Sequence, residues 1–436
     1  MKQVGIVFPY IFLIVAIFLS PYSNAQNIQN SFTISDSLYR ELIDVRNYLH
    51  NNPEPSGKEK ITSSFIENYL LDLGLEVRTN IGGYGIVGIL NGEKEGKKIA
   101  WRADIDAIPT THSHEENESH SAHQEALHHC GHDVHTTIGL GIANILTHHK
   151  SKIKGTVYFI FQPSEENFNG AKAMIADGLF ESIQPDEIYA AHVSPMPVGL
   201  IATKGHYLFA DYKQINLTFK KNTHKDELIK YSQDLISDLQ NVEPEGNFWK
   251  MESLMRPDIG IGSPKTIFKD FITVQEKFEV SEKGNRITVS GYVSASNAKL
   301  MNNIPHQLYE QIKSSRFAKR LKKVEFKSDK FVYSKQRGNV NNDVTLANKS
   351  IETLSAIKNP SVTTIPLYGV MPDGRGDDFA YFQEKIPGVY FFIGGSNFEK
   401  GIISMPHAPN FAIDETIIRV GVEAFSSLLL QRVNNY

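Results

Sequence analysis

Within the stretch His128-His129-Cys130-Gly131-His132-Asp133-Val134-His135 the chain sets four imidazoles, one thiol and one carboxylate. Cys130 is the only cysteine, so it has no partner for an intramolecular disulfide. A thiolate and a neutral imidazole two positions apart, separated by a glycine that lets the backbone turn tightly, make a pair of ligands for a divalent metal. The plain alternatives are a solvated histidine loop or a buried free thiol, and His123 or His149 taken alone reads as no more than that. Here the single thiol falls in the densest histidine cluster of the chain, and that favours metal.

Two more segments carry matching chemistry. Gln162-Pro163-Ser164-Glu165-Glu166 follows the apolar run 157–161. Adjacent side chains there diverge, so one carboxylate can reach a metal while the other faces a substrate. A general base must lie within reach of the attacking water and be matched to it in pKa; a divalent cation brings water down to about 7. Neighbouring cations would also keep both carboxylates ionised despite their repulsion. His192 and His407 add imidazoles, and Pro406 and Pro409 flank His407, limiting the entropy lost in positioning it. Each of these histidines alone reads as structural. Together Cys130, His132, Glu166, His192 and His407 exceed what one closed tetrahedral zinc site uses, and they suit two ions about 3.5–4 Å apart. The thiolate favours zinc, whereas imidazole and carboxylate also take manganese, cobalt or nickel.

The elements that must position these residues follow from periodicity. Residues 35–52 carry Leu38, Leu42, Val45 and Leu49 at helical spacing, and Pro53 stops the run. A second helix holds Ile61, Phe65, Ile66, Tyr69, Leu70 and Leu73, with Gly74 where a C-terminal cap belongs. Strand patterns at 85–90, 98–101, 157–161 and 188–191 alternate with helical ones at 136–146 and 171–179, which predicts an α/β layer with a largely parallel sheet. Asp104 and Asp106, Glu165 and Glu166, and His192 each follow one of these strands, and open α/β sheets gather ligands beyond the carboxyl ends of their strands.

From Asp211 the pattern changes. Strands over 214–219, 271–280, 287–293 and 324–332, with helices over 226–239 and 297–313, predict a smaller α+β domain over 211–335, inserted into the first. The main domain then occupies 26–210 and resumes at 336–436, with a helix at 344–357, an apolar strand at 389–394 and a closing amphipathic helix at 415–430. The Lys/Arg run over 313–335 reads as the solvated face of a helix and an edge strand rather than an anion site.

The whole chain sets bounds on these readings. It has 436 residues, 41% hydrophobic and 22% charged, with a formal net charge of −4. These are ordinary globular values, and nothing in the charge points to nucleic acid. Lys2, the apolar run 4–19 and Ser23-Asn24-Ala25 read as a signal peptide, residues 1–25, cut after Ala25. The rival, a retained anchor, is disfavoured by Pro9 and by a run short of the ~20 residues a span needs. The mature protein is therefore expected to be exported, periplasmic or secreted, without a stable membrane anchor. A lone cysteine in an oxidising compartment is a liability that metal coordination would remove.

Arg102-Ala103-Asp104-Ile105-Asp106-Ala107, His128-His129-Cys130-Gly131-His132-Asp133, the segment 155–166 and Met405-Pro406-His407 resemble the N-acyl-amino-acid amidohydrolases. These are the hippurate hydrolase and auxin-conjugate hydrolase branch of the aminoacylase and glutamate carboxypeptidase metallopeptidases. Asn52-Pro53-Glu54, Gly376-Asp377-Asp378-Phe379 and Pro387-Gly388 resemble landmarks of the same branch. The resemblance implies a binuclear site from Cys130, His132, Glu166, His192 and His407, with Glu165 as general base and acid and Asp104 orienting ligands from behind. It also implies a zinc-exopeptidase-like main domain and a ferredoxin-like inserted lid that often mediates homodimers. The inserted domain departs from the pattern: Asn222-Thr223-His224 only loosely matches the family's Gly-Gly-His, and the strand 287–293 runs into Ser294-Ala295-Ser296 with no arginine. His224 is the remaining candidate for transition-state stabilisation. The expected activity is hydrolysis of an N-acyl amino acid or short peptide. The alternatives are a carboxypeptidase or dipeptidase on the same site, or a metal-loaded binding module that has lost turnover.

Overall fold

The computed structural model describes residues 31–110, 125–221, 224–327, 339–357, 359–372 and 376–434. The expected leader, His123, Thr223 and the far end of the strand expected over 324–332 lie outside these residues.

The first part of the main unit runs α1 (Asp36–Asn51), α2 (Lys60–Asp72), β1 (Glu76–Ile81), β2 (Gly85–Asn91), β3 (Lys94–Asp104), β4 (Ile108–Pro109), β5 (Ala126–Leu127), α3 (His132–His148), β6 (Lys154–Gln162), α4 (Gly170–Ala176), α5 (Leu179–Ser182), β7 (Glu187–Pro197), β8 (Leu200–Thr203) and β9 (His206–Tyr207). A second unit follows with β10 (Asp211–Lys220), α6 (Lys225–Ser237), β11 (Ile272–Val274), β12 (Glu279–Lys283), β13 (Arg286–Ala295), α7 (Ala298–Lys313) and β14 (Leu321–Phe326). The chain then returns with β15 (Asn341–Asn342), α8 (Val344–Ala356), β16 (Thr363–Pro366), α9 (Phe379–Gln383), β17 (Gly388–Ser396) and α10 (Thr416–Asn434).

Local chemistry explains the ends of the first helices. The Ser35 hydroxyl accepts the Leu38 N–H to cap α1. At α2 the cap comes from a distance: the Glu54 carboxylate accepts the N–H groups of Ile61 and Thr62.

The main sheet has eight strands in the order β1-β2-β6-β3-β7-β17-β8-β16. Its centre is parallel from β6 through β3 and β7 to β17; β1 and β2 join antiparallel on one side, and β8 pairs antiparallel with β17 on the other. Side chains alternate across it as the strand period requires. Ile99, Trp101 and Ala103 of β3 join the core beneath α1, α3 and α10, while Ala100 joins the core of the opposite face. Arg102 and Asp104 share the Ala100 side and are fully buried. The result is a mixed α/β sandwich of the expected class.

The inserted unit carries a five-stranded antiparallel sheet in the order β11-β13-β10-β14, with β12 also on β13. Leu228 and Ile236 of α6 and Met301, Ile304, Leu308 and Ile312 of α7 cover it. Order and helix placement are those of a ferredoxin-like lid. Between α6 and β11 the chain makes a long excursion that leaves this unit. Its Phe248, Leu254, Ile261, Phe268 and Phe271 enter the core of the main unit beside Leu367, Val370 and Tyr390.

Several expectations change in detail. β3 runs on to Asp104, which pairs with Gln162 of β6, so Asp104 ends the strand rather than following it. β7 continues past Ala191 because β17 pairs with it as far as Pro197, so His192 lies inside the strand rather than after it. α3 starts at His132 rather than 136, because Gly131 turns directly into it at φ 89°. The strand expected over 271–280 is two strands, β11 and β12.

Candidate metal centre

The Cys130-Gly131 turn brings the first ligands together. Gly131 holds a left-handed conformation, and a Cβ there would lie 2.5 Å from Val193 Cγ1, so only glycine fits. Cys130 Sγ lies 3.3 Å from His192 Nε2 on β7 and 3.3 Å from His407 Nε2. The His407 N–H donates to the His129 carbonyl at 2.8 Å, anchoring a backbone held at φ 65°. Backbone strain of this kind persists where surrounding structure imposes it, and functional sites are where it collects.

The carboxylates arrive from β6. Ser164 adopts φ 56°, and the buried Glu59 carboxylate holds that turn by accepting the Ser164 and Gly57 N–H groups. Beyond it, Glu165 Oε2 and Glu166 Oε1 each stand 3.8 Å from His132 Nε2, and Glu166 Oε1 is 3.5 Å from His407 Nε2. Two triads of potential ligand atoms therefore share one sulfur: Cys130 with His132 and His192, and Cys130 with Glu166 and His407. All five residues that the sequence singles out as ligands meet here, with Glu165 beside them.

The supporting groups fix the tautomers. His132 Nδ1 donates to the Asp106 carbonyl at 2.9 Å and faces Asp106 Oδ1 at 3.2 Å, so that in the neutral ring the lone pair falls on Nε2. Asp106 also accepts from Ser56 Oγ and the Glu166 N–H, tying three segments together. Asp104 accepts from Arg102 at 2.6 Å and His135 at 2.7 Å, and its Oδ2 is 3.8 Å from His132 Nε2. Arg102 reaches on to Asp377 and Asp378. Asp106, Arg102, His135, Asp377 and Asp378 were not among the site residues expected from the sequence. The Asp-x-Asp spacing at the end of β3 is the one signal that pointed to Asp106. His224 is exposed at the N-terminal end of α6 and belongs to none of the ligand-atom clusters among the described residues.

The donor set fits cations. His132 Nε2 and Glu166 Oε1 are buried with no hydrogen-bond partner, a costly and rare condition for polar atoms in a protein interior. Asp104, Asp106, Glu165, Asp377 and Asp378 are all buried, and among the described residues Arg102 pairs with Asp104, Asp377 and Asp378. Burial, reinforced by Asp377, Glu166 and Asp378, pushes the Glu165 carboxyl well above its usual range. Burial and then Glu166 push the Cys130 thiol up. Burial opposes charge on His132, yet Asp104 and Cys130 outweigh it and raise its pKa. Bound cations would hold these carboxylates and the thiol in their ionised forms.

Residues 100–431 match the profile of peptidase family M20/M25/M40. The chain belongs to that family. As an M20 member it is a metal-dependent hydrolase of C–N bonds, of the metallopeptidase and amidohydrolase kind. It is 28% identical over 409 residues to thermostable carboxypeptidase 2 of Saccharolobus solfataricus, covering 90% of this chain and 95% of that one. It is 29% identical over 402 residues to the N-acetyldiaminopimelate deacetylase of Enterococcus faecalis, covering 89% and 97%. Its fold matches that of a dinuclear metal-binding M20 peptidase from Bacillus subtilis, with a TM-score of 0.68, 24% identity, and coverage of 92% and 100%.

Proposed function

We propose that this M20 chain is an exported amidohydrolase that cleaves the amide bond of N-acyl amino acids or short peptides, with two divalent ions held by Cys130, His132, Glu166, His192 and His407. The observation that carries the reading is the sharing of the Cys130 sulfur between two ligand triads. When bound, such ions supply Lewis acidity to a carbonyl oxygen and bring water to a pKa of about 7. Glu165 then accepts the proton of the attacking water and returns it to the leaving nitrogen. Its position beside the triads, buried and out of bulk solvent, supports that role. Asp106 keeps the His132 lone pair aimed inward, and Asp104 braces the same wall through Arg102 and His135.

The signal-like residues 2–25 support export; amino-terminal sequencing of the mature protein should begin at Gln26. The relatives include carboxypeptidases, deacetylases and IAA-amino acid hydrolases, so a panel of N-acyl amino acids, N-blocked peptides and dipeptides separates acyl-amino-acid hydrolysis from peptide hydrolysis. Glu165→Gln provides the test of turnover. Hydrolysis should fall by about 10²–10⁴ while metal content by elemental analysis stays at the parent value. Equal activity in variant and parent would contradict the role given to Glu165.

A further inference from the structure

His135 takes no ligand position in the binuclear reading, yet it is buried at 3% exposure with both ring nitrogens engaged. The Val193 N–H, which can only donate, lies 2.8 Å from His135 Nε2. That nitrogen therefore carries a lone pair, and Nδ1 carries the hydrogen that it donates to Asp104 Oδ1 at 2.7 Å. Both nitrogens are thus committed to these two contacts.

Its placement follows from the sheet. The ladder between β3 and β7 ends at Arg102↔Ala190, short of Val193. His135, projecting from the first turn of α3, takes up the Val193 N–H beyond that end. On the other side of the same residue, the Val193 carbonyl accepts from His192 Nδ1 at 2.7 Å. This leaves the His192 lone pair on Nε2, 3.3 Å from Cys130 Sγ. The two rings are also tilted against each other, with centroids 4.5 Å apart and planes at 60°.

We infer that His135 is a positioning residue: by anchoring the Val193 backbone it aims His192 Nε2 at Cys130, and so governs the ion held by Cys130, His132 and His192 without governing the one held by Cys130, Glu166 and His407. This rests on the binuclear site proposed above. The two substitutions that keep one of its hydrogen bonds separate aiming from packing. Asparagine preserves the donor to Asp104 but cannot reach Val193; glutamine extends an acceptor to Val193.

The full chain, stripped with chelator, is titrated with Co²⁺ and followed by calorimetry and by thiolate-to-cobalt absorption. His135→Ala and His135→Asn should each weaken one of two Co²⁺ ions by tenfold or more, the scale on which partners behind a metal's ligands act, and leave the other unchanged. His135→Gln should restore the weakened ion to near the parent affinity. Two ions bound as tightly as in the parent in all three variants would overturn the inference. So would equal weakening of both ions in all three, accompanied by equal loss of metal-free melting temperature, since that is the mark of a packing role. A parent chain that takes up fewer than two ions would instead overturn the binuclear reading and this inference with it.

Discussion

At the residue scale, ion binding by such a site depends on lone pairs being aimed. His132 presents Nε2 to the pocket because Asp106 takes its other nitrogen from behind. Asp106→Ala should therefore lower the affinity for Zn²⁺ or Mn²⁺ by about 10–100-fold, read by competition with a chromophoric chelator, while the far-ultraviolet spectrum stays that of the parent. Unchanged affinity would mean that the Asp106 contact does not orient the ring. The five candidate ligands could be singled out in the sequence because each has unusual chemistry next to a strand or a glycine. The sequence showed Arg102, Asp106, Asp377 and Asp378 only as parts of family-like segments and did not reveal their bracing contacts. Arg102 and Asp378 are 276 positions apart, and nothing local to either announces the other; only the fold joins them.

At the element scale, positions follow from where strands and helices stop. The parallel centre of the sheet was legible because β6 and β17 are nearly continuous apolar runs, the mark of strands covered on both faces. Strand and helix ends were less so, because they are set by partners: β7 is prolonged by β17, and α3 begins at a glycine turn. Elements are also joined by charge. Glu187 at the start of β7 binds Arg432 of α10, Lys97 of β3 and the Tyr189 hydroxyl. Burial pushes the Glu187 carboxyl up, but hydrogen bonds from Arg432, Lys97 and Tyr189 outweigh it and hold the pKa below normal. A free glutamate titrates near ~4.3, so this contribution to stability is complete above that pH and drains as pH falls through the lower native value. Glu187→Gln, which has no charge to lose, should show a shallower fall in stability on acidification than the parent, measured by denaturant melts at stepped pH. A steeper fall in the variant would reverse the sign assigned here.

At the scale of the whole molecule, the excursion between α6 and β11 is the feature least legible from sequence. It lacks helical or strand periodicity, and its value lies in what it docks on. Ile261 O accepts the N–H groups of Tyr368 and Gly369, and Phe268 O accepts that of Val370. This binds the lid to the loop that leads to Asp377 and Asp378. Phe268 is fully buried there among Phe248 and Phe271. Phe268→Ala should cost about 3–5 kcal/mol in denaturant unfolding, with the loss shared by probes in both units. A loss confined to the lid would mean that the strap does not couple them.

The central claim is that one sulfur serves two ions. Crystals grown in Zn²⁺ or Mn²⁺ and measured for anomalous scattering should show two peaks flanking Cys130 Sγ, one beside His132 and His192 and the other beside Glu166 and His407. A single peak, or two peaks of which neither touches Cys130, would contradict it.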